Sequence, residues 1–239
     1  MKNETIPDEK ITECRRCGTC CRKSGPGLHL EDQVLVESGK IPLKYLFTIR
    51  QGEPAFDNVS RVIAPAVTDI IKIQEVSDGR DVCAFYDPSQ RGCSIYPDRP
   101  AECRALKCWD TEEIERIYSC RRLTRRHLLS RVEGLWDLVQ EHQERCDYGY
   151  IAELAAQLKQ QHAPEAPHAE LLKLIRYDDS LRQVTRERSK IDPRMLLFLF
   201  GRPLSLTIGM FELKVGRTAH GVVLQPAGSS HQQVCYRRQ

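Results

Sequence analysis

The chain has 239 residues, 41% hydrophobic and 29% charged, the composition of a soluble globular protein with one large or two small domains. Its net charge of +3 is too small to argue for nucleic acid by itself, and its longest apolar run, Met195 to Phe200, falls far short of the roughly 20 residues a membrane helix needs. The first ten residues, MKNETIPDEK, mix acidic and basic groups and carry no signal-peptide pattern, so no membrane partner is expected and the chain is placed in the cytoplasm.

In chain order, residues 1–10 read as a lead-in. Cys14, Cys17, Cys20 and Cys21 form a C-x-x-C-x-x-C-C run, followed by a turn at Ser24 to Gly27. Leu30 to Glu37 predicts a short helix with Leu30, Val34 and Leu35 on one side. Val62 to Val76 predicts the best strand, because Ile71 and Ile73 alternate with Lys72 and Gln74. Cys83 to Tyr86 and Cys93 to Tyr96 read as a hairpin around Pro88 and Gly92, with the two cysteines starting its arms. Pro100 is suited to open a helix over Ala101 to Leu106 that carries Cys103.

Asp110 and Glu113 read as a capping pair for a long helix from about Thr111 to Cys146, with Leu128, Val132, Leu135 and Val139 as its buried stripe. A second helix, Ile151 to Gln161, leads into a proline-marked linker at His162 to Pro167. Beyond it, Ala169 to Arg176 and Asp179 to Lys190 predict helices, and Met195 to Phe200 an apolar plug ended by Gly201-Arg202-Pro203. Leu204, Leu206 and Ile208 alternate as a strand, and Glu212 to Leu224 predicts a hairpin turning near Gly216. The fold class expected is α+β: a metal-stapled cysteine-rich N-terminal half with a short hairpin, a helical middle and a small mixed C-terminal segment. The domains expected are 11–110 (cysteine cluster), 111–163 (helical) and 164–239 (C-terminal).

The 11 cysteines, against 3 methionines, are the informative excess. Eight of them, Cys14, Cys17, Cys20, Cys21, Cys83, Cys93, Cys103 and Cys108, fall into one pattern. Thiolates this dense without a secretory signal read as metal ligands, since the competing disulfide scaffold belongs to short secreted chains. A structural zinc site takes four nitrogen or sulfur ligands, and a cubane iron–sulfur cluster takes four thiolates. Recurrent C-x-x-C pairs favour zinc; surplus thiolates and the lack of a well-placed histidine favour iron–sulfur. Cys20 and Cys21 are adjacent, so in extended backbone their side chains diverge, and the run is expected to divide between sites. Either a structural staple or a redox or catalytic centre satisfies these residues.

Cys14-Arg15-Arg16-Cys17-Gly18-Thr19-Cys20-Cys21, then Cys83-Ala84-Phe85-Tyr86, then Gly92-Cys93-Ser94-Ile95-Tyr96-Pro97-Asp98-Arg99-Pro100-Ala101-Glu102-Cys103-Arg104 together resemble the YkgJ-type cysteine-cluster family. The likeness covers roughly residues 11 to 108. It implies chelation of zinc or iron through Cys14, Cys17, Cys20, Cys21, Cys83, Cys93 and Cys103; Cys108 joins them by local density. It also implies, as an alternative, an enzyme of the iron–sulfur oxidoreductase type, or of the protein lysine N-methylase type, since a flagellin lysine N-methylase is similar in its cysteine region.

Other side chains carry paired expectations. Arg99 and Arg104 either donate to the centre or an anion, or pair with a carboxylate. Phe85 and Tyr96 are expected to pack over the site. Arg121, Arg122, Arg125 and Arg126 share one face of the expected long helix, a stripe that meets phosphates or, more in keeping with the low net charge, water. His29 is a candidate substitute ligand or a polar loop residue. Cys120 and Cys146 are expected to be buried small hydrophobes, and Cys235 lies outside the pattern.

Overall fold

The alternation at Ile71 and Ile73 is where the N-terminal half is built. The computed structural model describes residues 12–14, 16–76, 82–160, 165–218 and 221–227; the lead-in, Pro164 of the linker and Cys235 lie outside the described residues. The strands of this half are β1 (Leu46–Ile49), β2 (Pro54–Phe56), β3 (Ile63–Pro65), β4 (Ile70–Ile73), β5 (Glu75–Val76), β6 (Val82–Cys83), β7 (Tyr86–Asp87) and β8 (Gly92–Cys93). They pair antiparallel as β1–β4, β2–β3, β5–β6 and β7–β8. The long strand region expected over Val62 to Val76 is therefore three short strands. β1 is buried along its whole length. Leu46, Ile71 and Ile73 enter the main core with Leu28, Ile41, Leu123, Phe198 and Phe200, while Phe47 and Ile49 pack with Ala55 and Ala66 in a smaller cluster.

The expected cysteine hairpin is present as β7–β8, but its arms differ. Cys93 faces Tyr86, and Cys83 belongs to the preceding pair, opposite Glu75. The early helix is a 3-10 turn, Leu30–Asp32, running into α1 (Gln33–Glu37). Leu30 and Leu35 pack partly buried against the core as expected and Val36 is buried with them, while Val34 is 63% exposed.

The helices that follow are α2 (Ala101–Ala105), α3 (Glu112–Ile117), α4 (Arg125–Leu129), α5 (Leu135–Arg145), α6 (Tyr148–Leu158), α7 (Glu165–Arg188), α8 (Leu196–Phe200) and α9 (Leu204–Thr207). Pro100 is the residue before α2 rather than its first. The long helix expected from Thr111 is thus three pieces. Arg121 and Gly134 take left-handed backbone angles, φ +47° and +72°, which no α-helix passes through. Leu128, Leu135 and Val139 of the expected stripe still pack in the main core, with Leu129 added, and Val132 is exposed. Asp110 accepts the Glu112 amide at 3.1 Å, but Glu113 pairs with Lys107, so the capping pair is only half formed.

Conversely, the two helices expected beyond the linker are the single α7. Pro167 stands in its first turn, where a missing N–H is tolerated. Asp178, which falls between the two expected helices, is buried inside and held by His142 at 2.7 Å and Arg182 at 2.9 Å. The apolar plug is α8, buried as expected. Leu204 to Ile208 is helical, not a strand. Leu204 and Ile208 lie four residues apart and both are buried, a spacing that satisfies a helix as well as an alternation. The last two strands, β9 (Leu213–Thr218) and β10 (Gly221–Pro226), form the C-terminal hairpin. Gly216 pairs with Val223 within it, so the turn falls later than Gly216. A second core joins Cys146, Tyr148 and Ile151 to Leu171, Leu174, Leu204 and Leu224. Helices and small antiparallel sheets make the class α+β. Among the described residues no single helix is long and apolar enough to cross a membrane.

Candidate metal centre and adjoining cavity

Of the eight patterned cysteines, five reach one place. Cys20, Cys21, Cys83, Cys93 and Cys103 line a cavity of about 550 Å³, while Cys14, Cys17 and Cys108 are exposed and stand apart from its wall. The N-terminal run arrives as a coiled turn. The Arg22 amide donates to the Gly18 carbonyl and the Lys23 amide to the Cys20 carbonyl, both at 3.1 Å. The run does divide, Cys14 and Cys17 apart from Cys20 and Cys21, and in this curl, unlike in extended backbone, both members of the adjacent pair line the cavity. Their thiols lie close enough to shift each other's ionisation. Gly18 has φ +70° and lies under the Tyr86 ring, where a β-carbon would come within 2.4 Å of it.

The run is docked by the strand edge. Residues 26–28 lie along β4, with the Ile73 amide donating to Pro26 at 3.0 Å and the Leu28 amide to Ile71 at 2.8 Å. Gly25 is required for this approach, since a β-carbon there would stand 2.1 Å from the Ile73 carbonyl oxygen. The Cys83 amide then donates to the Cys21 carbonyl at 2.8 Å, fastening the two cysteine segments together. Cys93 follows from the β7–β8 register. Cys103 is carried by α2, whose first amide, Ala101, donates to the buried Asp32 carboxylate at 2.9 Å.

Electrostatics divides the thiols. The neighbouring Cys21 thiol, aided by Arg99, draws Cys20 down to about 6, and the same contact pushes Cys21 up. Burial pushes Cys83 up to about 11 and raises Cys93 and Cys103 as well. Cys17, out in solvent, is lowered by a 3.2 Å contact with the Thr19 hydroxyl. Buried thiols surrounded by other thiols ionise readily once a cation compensates them, so this donor set suits a thiophilic ion such as zinc or iron. Among the described residues no group of three His, Cys, Asp or Glu side chains is already arranged around a common point. The five thiols share a wall rather than a finished coordination shell.

The neighbouring residues resolve the paired expectations. Arg104 makes an ion pair with Glu31. The Arg99 guanidinium stacks 3.8 Å from the Tyr96 ring centre, and its charge lowers Cys20 and favours the thiolate of Cys93. Arg16 covers the same ring at 4.1 Å, so Tyr96 is held between two guanidiniums. Phe85 does line the cavity; Tyr96 does not. His29 lies outside the helices and strands, in an isolated bridge to Arg122. It is buried, with Nδ1 2.7 Å from the Cys120 carbonyl and Nε2 3.3 Å from Glu102.

The arginine stripe is dispersed, because the helix it assumed is broken. Arg122 is buried against Glu102 at 2.6 Å, and Arg125 is buried with both its Nε and Nη2 on Asp69 at 2.7 and 2.9 Å. Cys146 is buried as expected; Cys120 is exposed, because the turn at Arg121 lifts it out. Lys72, Glu102 and Tyr118, which also line the cavity, were not singled out as site residues in the sequence, and Arg122 was read only as part of the stripe. Glu102 was within reach, as the neighbour of Cys103.

Residues 13–122 match the model of the CxxCxxCC family, described as "Putative zinc- or iron-chelating domain". No curated protein matches the chain, and no solved structure does.

Proposed function

We propose that the protein holds zinc or iron through Cys20, Cys21, Cys83, Cys93 and Cys103, a reading supported by the match of residues 13–122 to the cysteine-cluster chelating family. The observation that carries the reading is the meeting of five thiols from four separate segments at one cavity wall. Four of them complete a zinc tetrahedron or anchor a cubane cluster, and the fifth remains beside the centre. Cys14, Cys17 and Cys108 lie outside this set. Thiolates in such number persist in a reducing compartment, which supports a cytoplasmic location.

The test is metal analysis with an absorbance spectrum on protein purified without oxygen. Cys83→Ser with Cys93→Ser is expected to abolish bound metal, and Cys14→Ser with Cys108→Ser to leave it at wild-type stoichiometry. Full occupancy in the first pair would overturn the ligand set. Iron with acid-labile sulfide and a visible charge-transfer band assigns a cluster; a colourless zinc protein assigns a single-ion site.

A further inference from the structure

We propose that the cavity beside the cysteines binds a small amphiphile with an apolar body and one carboxylate, the carboxylate received by Arg122. This goes beyond metal chelation, and binding itself needs no metal; that the bound molecule would face the metal rests on the reading above.

The size and walls define the body. About 550 Å³ lies within the range of small-molecule sites. Ile49, Ala55, Ile73, Phe85, Leu106 and Ile114 give the cavity an apolar lining.

The charge defines the head. Lys23, Lys72 and Arg122 line the cavity against two carboxylates, Glu102 and Glu115. Glu102 is already satisfied. Its Oε2 accepts the Gly27 amide at 2.7 Å, and its Oε1 meets Arg122 at 2.6 Å and His29 at 3.3 Å. Glu115 accepts the Thr111 hydroxyl at 2.6 Å. Arg122, by contrast, makes its hydrogen bonds through Nη1 among the described residues, to Glu102 and towards His29 at 3.5 Å. Its Nε and Nη2 remain as a pair of donors in the geometry that receives a carboxylate. The guanidinium is held in place by the Tyr118 ring, 4.8 Å from its carbon. Gly27 leaves room for it, since a β-carbon there would stand 2.4 Å from Arg122 Nη1.

The β2–β3 hairpin supplies the cover. Ala55, Phe56, Asn58 and Val59 line the cavity, and Phe56 and Val59 are 39% and 45% exposed. The backbone amide and side-chain Nδ2 of Asn58 both donate to the Tyr118 hydroxyl, at 3.3 and 2.9 Å, joining the hairpin tip to the residue that backs Arg122. The turn is held by Asp57, which accepts the Val59 and Ser60 amides at 2.8 Å.

The experiment is calorimetric titration of the full chain with decanoate, decanol and decylammonium below their micelle concentrations, with metal content measured on each sample. Saturable one-to-one binding of decanoate, at least tenfold tighter than decanol or decylammonium, is expected. Arg122→Met should weaken decanoate tenfold or more and leave decanol unchanged. Leu106→Trp, at a half-exposed cavity residue, should block all three. If Arg122→Met does not fold, the decanoate-to-decanol ratio in the wild type and the Leu106→Trp titration decide. No saturable decanoate binding by the wild type, or decanol binding as tightly, would overturn the proposal. Decanoate binding by the metal-free Cys83→Ser, Cys93→Ser protein would sustain it independently of the metal reading.

Discussion

Gly25 governs how closely the cysteine run approaches β4. A methyl group there meets the Ile73 carbonyl at 2.1 Å, which backbone has to move to relieve. Gly25→Ala is therefore expected to lower the melting temperature by several degrees and the metal content with it, whereas Gly92→Ala, whose nearest new neighbour is 3.6 Å away, is expected to leave both unchanged. Thermal melts and metal analysis on the two variants check this. At this scale the sequence was partly legible. The cysteine spacing picks out all five cavity thiols, because metal ligands recur in short motifs. The partners of Arg122, Glu102 and His29 were not legible, because they lie about 20 to 90 residues apart in the chain and are joined only by the docking of α2 and the Leu28 segment.

At the scale of elements, local signals worked where one period was available and failed where a tertiary contact chose between two. The α8 plug and the strand β4 are read directly from runs of apolar and β-branched residues. The two helices expected over α7 are one, and its middle is fixed by a contact that no local pattern carries, Asp178 buried against His142 and Arg182. That same junction predicts a pH dependence. Burial pushes His142 down from 6.5 to about 4, with Arg50 and Arg182 opposing its protonation and Asp178 favouring it. Although burial opposes it, the His142 bond and Arg182 hold Asp178 well below the usual carboxylate range. The unfolded chain thus binds a proton between about pH 6.5 and 4 that the folded one does not. The stabilisation is complete above 6.5 and is lost as pH falls through this window, by up to about 1.4 kcal/mol per pH unit. Denaturant titrations across pH 4 to 7 should give that slope, and His142→Gln should flatten it. An equal slope in the variant would place the titration elsewhere.

At the scale of the molecule, two cores divide the burden. The first is built around β1, β4 and α8 and takes in Cys83; the second ties α6 to α7 and the C-terminal hairpin. Metal bound at the cavity wall stabilises the segments that supply its ligands, by mass action on the folded state. Stripping it with a chelator is expected to increase hydrogen exchange in β4, β6 and α2 by tenfold or more and to leave α6 and α7 protected. Uniform loss of protection would show that the two cores open together. The α+β class and the cysteine-rich N-terminal half were legible from composition and motif. The way α8, nearly 100 residues beyond the last cavity thiol, completes the first core was not, because nothing local to Phe198 names Leu46 or Ile71 as its neighbours.

The hydrogen bond from Cys83 to Cys21 joins residues some sixty positions apart, and Cys103 stands further still along the chain. Closing such loops carries an entropy cost that grows slowly with length and must be met before the site exists. During synthesis the N-terminal thiols emerge first and wait for α2 to follow. With the proposed ligands, metal loading is therefore expected to be a late event, timed by the arrival of Cys103 rather than by the first encounter of Cys20 with an ion.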